Sequence, residues 1–377
     1  MSVTVVEAMN LKVFPDRIVV ASNAWRGTFA ARLVSDHVAA RIRSSGGGRD
    51  AVSVPLADGG DGTLDVLAAP LGLDLMACTV RGPSGDPVTA RYGWNPRTRT
   101  GVVEMAEASG LGRLGTRPAG ILDRTSHGAG QLVAAVLDRG CDRLVYGAGG
   151  SATADAGAGL ARALGARLLD ARGRPLDGAP RTLRALAEVD HSHLHPGARR
   201  PEVIVLSDTS VTVGDSLRTF GPQKGVTEGE RRPLEEAFRR AASLLHRPVP
   251  SDHPWRAAGG ASAGTVAGLF ETRPIGGAAW VGDLVGLPAC IGPGSTVVTS
   301  EGRFDTSSLR GKATGWVVER CAAVGATPVV LCATADPAAV AALPPGARVL
   351  PVAPAGGVVG LDDIARTAVE ALEAHSP

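Results

Sequence analysis

The sequence is poor in aromatic residues and cysteine, and its charges nearly cancel. Aromatic residues make up 3% of the 377 residues, and the formal net charge is +2. A near-neutral chain has no excess of positive charge for nucleic acid or an anionic membrane surface, so we predict neither as a partner. The five cysteines show no CxxC spacing, which indicates buried thiols in a reducing compartment.

Long hydrophobic runs are also missing. No apolar stretch is long enough to span a bilayer, and residues 1–17 lack the apolar core of a signal peptide. These two absences predict a cytoplasmic protein. The sequence leaves open whether the chain forms a homodimer.

Glycine, by contrast, is abundant. The 50 glycines follow no collagen-like or linker-like period, and this pattern favours an α/β protein whose loops are lined by backbone. A chain of 377 residues is longer than one typical domain, so we predict two.

A loop almost without side chains follows a short apolar run near residue 144. Its glycines allow main-chain N–H groups to approach a ligand closely, and Ser151 and Thr153 add hydroxyl donors. The Ala/Gly run from Ala156 predicts a helix whose N-terminus favours an anion. The stretch is therefore predicted to cradle phosphate.

Two other interpretations of this loop stay open at this stage. The pattern Gly147-x-Gly149-x-x-Ala152 resembles a dinucleotide fingerprint, with Asp170 at about the distance of a ribose-binding acid. The other interpretation is a tight turn between strand and helix that binds no ligand.

Carboxylates and cations recur in the other glycine-bearing loops. Asp58 and Asp61 follow the predicted strand 51–55, at the position where open α/β sheets bind ligands. For Asp61 we favour a role in the turn alone. The carboxylates near strand ends are Asp58, Asp155, Asp208 and Asp305, and the cations in these loops are Arg26, Lys224, Arg303 and Lys312.

These groups are the ones that phosphoryl transfer requires. Its transition state spreads negative charge over oxygens and is stabilised by cations, backbone N–H groups and carboxylate-held Mg²⁺. A hydroxyl acceptor also needs a carboxylate within hydrogen-bond reach. Lys312 does not lie in a Walker A loop, because residue 306 is Thr and Ala313 follows the lysine. This excludes a P-loop kinase, whereas composition alone leaves a dehydrogenase open.

A metal site is one interpretation of His191, His193 and His195. Their alternation would place all three side chains on one face of a strand. The segment is rich in Asp, Pro, Gly and Arg, so we predict a solvated loop instead.

Five segments of the sequence resemble the signature segments of bacterial type I glycerate kinases, in the order of that family. They are Asp-Gly-Gly-Asp-Gly-Thr at 58–63, Glu-Met-Ala-Glu-Ala-Ser-Gly-Leu at 104–111, Gly-Gly-Ser-Ala-Thr at 149–153, Phe-Gly-Pro-Gln-Lys-Gly at 220–225 and Glu-Gly-Arg at 301–303. The resemblance implies ATP-dependent phosphorylation of glycerate, usually at the 2-hydroxyl, with Mg²⁺. It also implies a flavodoxin-like parallel-sheet domain, formed by the N- and C-terminal parts, around a second, inserted α/β domain.

The inserted domain has its own signal in the sequence. Near Gly82 the pattern changes: a turn-rich segment is followed by residues 88–94, which alternate like a half-exposed antiparallel strand, and a helix is predicted from about 127 to 138. We predict the flavodoxin-like (Rossmann-like) domain over residues 17–80 and 285–377, and the inserted α/β domain over residues 81–284. The substrate, a small hydroxy acid, is predicted to bind with ATP in the cleft between them.

The loops and the resemblance together define a predicted site. The predicted catalytic residues are Asp58, Asp208, Arg26 and Lys224, with Asp58 and Asp208 also as Mg²⁺ ligands. The predicted substrate-binding and phosphate-binding residues are Asn23, Gly59, Gly60, Gly149, Gly150, Ser151, Thr153, Glu301, Arg303, Asp305 and Lys312.

The first loop departs from the family pattern. Where the family usually reads Pro-Asp-Ser-Phe-Lys-Gly, residues 22–27 read Ser-Asn-Ala-Trp-Arg-Gly, and Ser300 replaces a usual glycine. The loop has lost a carboxylate and a hydroxyl, and a planar guanidinium replaces an ammonium. These changes suggest two alternatives: a kinase for a different small hydroxy acid of a specialised biosynthetic pathway, or a catalytically impaired homologue that only binds ligand.

Overall fold

A computed structural model describes residues 17–45, 48–250 and 252–374. Its strands are β1 Ile18–Val20, β2 Ala51–Ser53, β3 Asp74–Arg81, β4 Pro87–Asn95, β5 Thr100–Glu104, β6 Arg143–Gly147, β7 Arg167–Asp170, β8 Leu186–Asp190, β9 Glu202–Ser207, β10 Pro274–Gly276, β11 Thr296–Phe304, β12 Thr327–Ala335 and β13 Arg348–Pro351. Its helices are α1 Ala31–Ser44, α2 Thr63–Ala68, α3 Met105–Ser109, α4 His127–Asp138, α5 Ala158–Ala163, α6 Val213–Phe220, α7 Glu228–Leu245, α8 Ser262–Leu269, α9 Gly277–Leu284, α10 Leu287–Cys290, α11 Ala313–Val324, α12 Pro337–Ala341 and α13 Leu361–Glu373.

These elements divide into two compact units. Unit 1 contains the described residues up to Asp58, the segment Asp65–Pro70 and the described residues from Ala278 onwards. Unit 2 contains Gly59–Leu64 and Leu71–Gly277. The domain boundaries given from the sequence stay predictions, because compactness in the folded chain does not measure which segments fold on their own.

Unit 1 is built on a five-stranded parallel sheet in the order β13-β12-β11-β1-β2. Counted along the chain within this unit, the order is 2-1-3-4-5, which is the flavodoxin-like order. The predicted flavodoxin-like parallel-sheet fold is therefore confirmed. The direction of winding reverses between β1 and β11, and sheets of this type bind ligands beyond the carboxyl ends of the strands at such a point.

Helix α1 illustrates why these sequences cover the sheet. Val34, Val38 and Ile42 recur at a spacing of four and are buried in one hydrophobic cluster with Ile364 and Ala368 of α13. An apolar stripe at this spacing lets a helix pack one face against a core while the other face stays in water. None of the helices in the described part of the chain combines the length and apolar composition that crossing a bilayer requires.

Unit 2 is built on a six-stranded mixed sheet in the order β10-β9-β6-β5-β4-β3, with β7 and β8 as a separate pair. Strand β4 is antiparallel to both β3 and β5, which confirms the antiparallel strand predicted from the alternating segment 88–94. Strands β5, β6 and β9 are parallel, with Glu104, Gly147 and Leu206 side by side in register. The loops that follow these three strands therefore leave the sheet at the same edge.

Candidate active site

In unit 1, polar side chains gather where the winding of the sheet reverses. Asn23 follows β1, and its Nδ2 donates to Asp58 Oδ2 at 3.3 Å. The backbone N–H of Ala313, the first residue of α11, donates to the same oxygen at 3.2 Å. Asp58 is only 6% exposed. A buried carboxylate thus lies at a helix N-terminus, where the helix dipole favours negative charge.

Two departures from the family pattern contact each other in this region. The indole N–H of Trp25 donates to Ser300 Oγ at 2.9 Å, and both side chains are buried. The backbone N–H of Asn23 donates to the carbonyl of Ser300 at 3.1 Å. A tryptophan in place of phenylalanine introduces a buried donor, and a serine in place of glycine supplies its acceptor. The two bonds hold the first loop against β11.

We expect Ser300→Ala to lower the free energy of unfolding by about 1–3 kcal/mol, because the buried indole N–H loses its acceptor. In a Trp25→Phe background the same substitution should cost much less, since no donor is left unsatisfied. A double-mutant cycle by chemical denaturation should give a coupling of about 0.5–3 kcal/mol. Additive effects of the two substitutions would contradict the paired role.

Glu301 is another buried acid of unit 1. Burial raises the pKa of its carboxyl to about 7, and the charge of Lys312 acts in the opposite direction. Within the described residues its Oε1 has no hydrogen-bond partner. Lys312 Nζ donates to Ser307 Oγ at 2.8 Å. A buried acid near a cation, with one oxygen unsatisfied, can bind a ligand donor or exchange a proton near neutral pH.

The remaining predicted residues of unit 1 lie closer to solvent. The Arg303 side chain is 74% exposed and forms an ion pair with Asp305 at 3.3 Å. Asp305 also accepts hydrogen bonds from the backbone and hydroxyl of Ser307, so its carboxylate stabilises the turn after β11. Arg26 is exposed. Direct roles of these residues toward a ligand stay predictions.

In unit 2, the glycine-rich loop after β6 packs closely against two other loops. The N–H of Gly149 donates to the carbonyl of Gly59 at 2.8 Å. A Cβ atom added to Gly149 would lie 2.6 Å from both Asp208 Oδ2 and the Cα of Gly60. Only glycine fits at this position, because no real Cβ approaches other atoms so closely. The absence of a side chain brings the Asp208 carboxylate against the backbone of the loop.

The next residue, Gly150, has a φ of +74°, a conformation that strains other residues. A Cβ here would lie 2.7 Å from Asp61 Oδ2. The structure therefore places the Asp61 carboxylate beside the glycine loop, although the sequence-based interpretation limited Asp61 to a turn. The repeated Asp-Gly pattern at 58–62 was the available signal for this second acid.

Lys224 lies buried beneath the same loop. It is 7% exposed, and its Nζ donates to Ser151 Oγ and to the carbonyl of Thr153, both at 2.8 Å. Arg124, also 7% exposed, donates from one guanidinium nitrogen to the carbonyls of Lys224 at 2.7 Å and Ala152 at 3.3 Å. Arg124 was not among the predicted residues, because its role depends on contacts with segments far away in the sequence.

The predicted helix N-terminus after this loop needs a correction. Helix α5 has six residues, begins at Ala158 and follows Gly157 in the left-handed conformation. The buried carboxylate of Asp155 accepts the backbone N–H groups of Gly157 at 3.3 Å and Gly159 at 3.2 Å. The Asp155 carboxylate takes the place of a bound anion at this helix start, so the predicted anion site is limited to the loop and Lys224.

Glu104, at the end of β5, is a further residue that the sequence analysis did not select. Its two carboxylate oxygens accept the backbone N–H groups of Gly62 at 3.1 Å and Leu64 at 2.9 Å. Burial raises the pKa of its carboxyl to about 8, and the nearby charges of Asp61 and Glu107 add to the increase. Glu104 therefore holds the loop that contains Gly59 and Gly60.

The raised pKa of Glu104 predicts a pH dependence of stability. The ordinary value is 4.5, so between this value and about 8 the folded protein keeps a proton that the unfolded chain has lost. The stability from this group is complete below pH 4.5 and is lost as the pH rises through about 8. We expect the free energy of unfolding to fall by up to about 1.4 kcal/mol per pH unit between about pH 7 and 8.

Chemical denaturation at several pH values measures this slope. Glu104→Gln, which cannot titrate, should remove most of it. The matched control is Glu202→Gln, at a side chain that is 63% exposed, and it should leave the slope unchanged. An identical slope in Glu104→Gln and the wild type would show that another group releases the proton.

Two alternative sequence interpretations find no support in the geometry. His191 and His193 are exposed, and His195 Nε2 lies 3.0 Å from Asp138 Oδ1. Asp170 accepts the backbone N–H groups of residues 172 and 174, so it stabilises a hairpin turn. These contacts agree with the solvated histidine loop and give no ribose-binding role to Asp170.

The carboxylates, cations and backbone N–H groups of these loops are of the kinds that bind Mg²⁺ and nucleotide phosphates. Mg²⁺ prefers oxygen ligands and usually binds one or two carboxylates together with substrate phosphates. Asp58 in unit 1 and Asp208 in unit 2 each offer such a carboxylate. Among the described residues, no group of three or more His, Cys, Asp or Glu side chains could hold a metal by itself.

The predicted site residues are divided between the two units. Unit 1 contains Asn23, Arg26, Asp58, Glu301, Arg303, Asp305 and Lys312. Unit 2 contains Gly59, Gly60, Gly149, Gly150, Ser151, Thr153, Asp208 and Lys224. Their joint action on one substrate stays a prediction.

Comparison with known proteins gives one consistent result. A family model described as the glycerate kinase family matches residues 18–374. The chain is 33% identical over 303 residues to the glycerate 2-kinase of Escherichia coli (strain K12), covering 78% of this chain and 79% of that protein. It is 34% identical over 266 residues to the glycerate kinase of Halalkalibacterium halodurans, covering 69% and 70% of the two chains. A crystal structure from Salmonella typhimurium LT2, assigned as glycerate kinase 2, matches with a TM-score of 0.72 at 28% identity and covers 95% of this chain and 96% of that one.

Proposed function

This chain belongs to the glycerate kinase family, and from that premise we propose that it is an ATP-dependent kinase that phosphorylates the 2-hydroxyl of glycerate. The observation that carries the proposal is the family match over residues 18–374. The name of the Escherichia coli relative, glycerate 2-kinase, supports the choice of hydroxyl.

In this proposal, two carboxylates take the acid–base and metal-binding roles. Asp58 or Asp208 accepts the proton of the attacking hydroxyl or binds Mg²⁺. The bonds from Asn23 and Ala313 fix the orientation of the Asp58 carboxylate. When bound, Mg²⁺ neutralises charge on the phosphate oxygens.

The cations and the glycine loop take the binding roles. Arg26, Lys224 and Arg303 hold carboxylate or phosphate oxygens, and the backbone and hydroxyls of residues 149–153 surround an anion. Lys312 and Glu301 provide further ligand-binding groups: Lys312 a cation, and Glu301, which lies in β11, a carboxyl group. The buried Lys224 ammonium on Ser151 and Thr153 supports an anion at this loop.

The proposed setting of the enzyme is the cytoplasm, with ATP and a small hydroxy acid as its ligands. All five cysteines are free thiols in the structure, and four of them are buried. Free thiols of this kind agree with a reducing compartment.

A coupled assay tests the proposed reaction. ATP, Mg²⁺ and D-glycerate are supplied, and the product is detected by enolase with or without phosphoglycerate mutase. Transfer to the 2-hydroxyl gives a product that enolase consumes directly, whereas transfer to the 3-hydroxyl requires the mutase. Absence of ADP release with D-glycerate would overturn the proposed substrate.

A second candidate is a kinase of the same fold that acts on another small hydroxy acid. The hydrogen-bonded pair Trp25 and Ser300, both departures from the family pattern, favours this candidate because the pair lies beside Asn23, and Ser300 is in β11. A panel of hydroxy acids, with ADP release as the readout, distinguishes the two. Ligand binding by calorimetry without ADP release for any acceptor would indicate the catalytically impaired homologue.

A further inference from the structure

Lysine is nearly absent from this chain. The sequence contains three lysines, Lys12, Lys224 and Lys312, against 36 arginines. The chain thus uses a guanidinium at almost every cationic position, and the buried ammonium of Lys224 is an exception. An ammonium is a compact point charge with three rotatable donors, whereas a guanidinium is a broad plane with a fixed set of directions. Lys224 is therefore a buried position at which the chain has a compact cation.

The glycine-rich loop surrounds the charged end of Lys224. Its Nζ contacts Ser151 Oγ and the carbonyl of Thr153 at 2.8 Å. Behind Thr153 the packing is tight, since a Cβ atom on Gly260 would lie 2.3 Å from the Thr153 carbonyl oxygen. The loop therefore encloses the charge of Lys224 within a small volume.

Additional donors converge on the same loop. Arg124 donates to the carbonyls of Ala152 and Lys224, which places a second buried positive charge directly behind the loop. The hydroxyls of Ser109 and Thr153 are buried and have no hydrogen-bond partner among the described residues. Ser109 is held next to the loop because its carbonyl accepts the N–H of Ala152 at 2.8 Å. Buried polar groups without partners commonly mark a site whose ligand completes their hydrogen bonds.

From this arrangement we infer that the cluster of Ser109, Ser151, Thr153 and Lys224 in unit 2 is the subsite for the carboxylate of the acceptor. The inference rests on the proposed function, because it assigns one group of the hydroxy acid to one part of the site.

The size and charge of the cluster favour a carboxylate over the nucleotide triphosphate. Ser151 is 4% exposed and Lys224 is 7% exposed, so only a small group can reach them. A carboxylate carries one charge and accepts hydrogen bonds from hydroxyl and ammonium donors. A triphosphate is larger, carries several charges and needs a metal ion for their neutralisation.

The test compares D-glycerate with glycerol, which has the same three-carbon chain but an uncharged hydroxymethyl group in place of the carboxylate. We expect Lys224→Met to raise the KM for D-glycerate by about 10–100-fold, because a charge-assisted hydrogen bond is lost. The KM for ATP should change by less than about threefold. The preference for D-glycerate over glycerol should fall by a similar factor to the rise in KM, an effect that a merely structural role would not produce.

Two further variants keep the test decisive. Ser151→Ala retains the ammonium and should raise the KM for D-glycerate by about tenfold, so it serves if Lys224→Met does not fold. Arg218→Met removes an exposed positive charge from unit 2, at a side chain 69% exposed, and should change neither KM. A rise in the KM for ATP with an unchanged KM for D-glycerate would overturn the inference and indicate a phosphate subsite.

Calorimetry separates failure of this inference from failure of the proposed function. If the wild type releases no ADP with D-glycerate, the proposed function fails, and binding of D-glycerate without nucleotide is measured instead. Binding to the wild type that is lost in Lys224→Met, while ATP still binds both, supports the subsite. Equal binding of D-glycerate to both proteins, or no binding to the wild type, overturns it.

Discussion

Asp58→Asn is expected to lower kcat for glycerate phosphorylation by about 10²–10⁴-fold, the range that general acid–base catalysis contributes. Asparagine has nearly the same shape, and its amide oxygen can still accept the N–H of Ala313 at the start of α11. It cannot take up a proton, and it is a weaker ligand for Mg²⁺. The folded structure should therefore persist while the chemical step slows.

The measurement is steady-state kinetics with D-glycerate and ATP, together with a thermal unfolding curve for each protein. Asp50→Asn is the matched control, because Asp50 is a surface residue of unit 1 that is 60% exposed and paired with Arg17. Its kcat should equal that of the wild type. A folded Asp58→Asn enzyme with kcat within about tenfold of the wild type would remove Asp58 from the catalytic role.

Gly149→Ala is expected to lower kcat/KM by at least about 100-fold, since small misplacements of reacting groups have effects of this size. The added methyl group would lie 2.6 Å from Asp208 Oδ2 and from the Cα of Gly60. Both neighbours must move, and Asp208 is one of the two acids proposed for catalysis or metal binding. We also expect a loss of about 1–3 kcal/mol in the free energy of unfolding from overpacking.

Gly115→Ala provides the comparison for this variant. A Cβ atom at Gly115 meets no atom within 4 Å, and the residue is exposed in unit 2. Its kcat/KM and stability should stay close to those of the wild type. If Gly149→Ala were destabilised but fully active, the close approach of Asp208 to this loop would have a structural role only.

The parts of the fold that depend on local patterns could be predicted from the sequence. The helix predicted from about 127 to 138 is observed as α4, His127–Asp138. The apolar runs that end in glycine-bearing loops are observed as parallel strands, because a strand buried on both faces produces a continuous apolar run. The loops that contain the candidate residues could also be predicted from the sequence, because they directly follow these apolar runs.

Interactions between distant segments could not be predicted in this way. Trp25 and Ser300 are 275 positions apart in the chain, and no periodicity relates a donor to an acceptor at that separation. Glu104 was noted as part of a motif, but its bonds to the loop after β2 exist only in the folded chain. Asp155 resembled a ligand-binding acid from its position in the sequence, whereas in the fold it caps a short helix start.

The buried indole of Trp25 also provides an optical probe of the first loop. Indole emission shifts in wavelength and intensity when the polarity and hydrogen bonding around the ring change. The ring is 4% exposed and adjoins the loop that contains Asn23, so ligand entry at this end of the sheet can be followed without a dye. The chain has five tryptophans, and subtracting the spectrum of Trp25→Phe isolates the signal of this one.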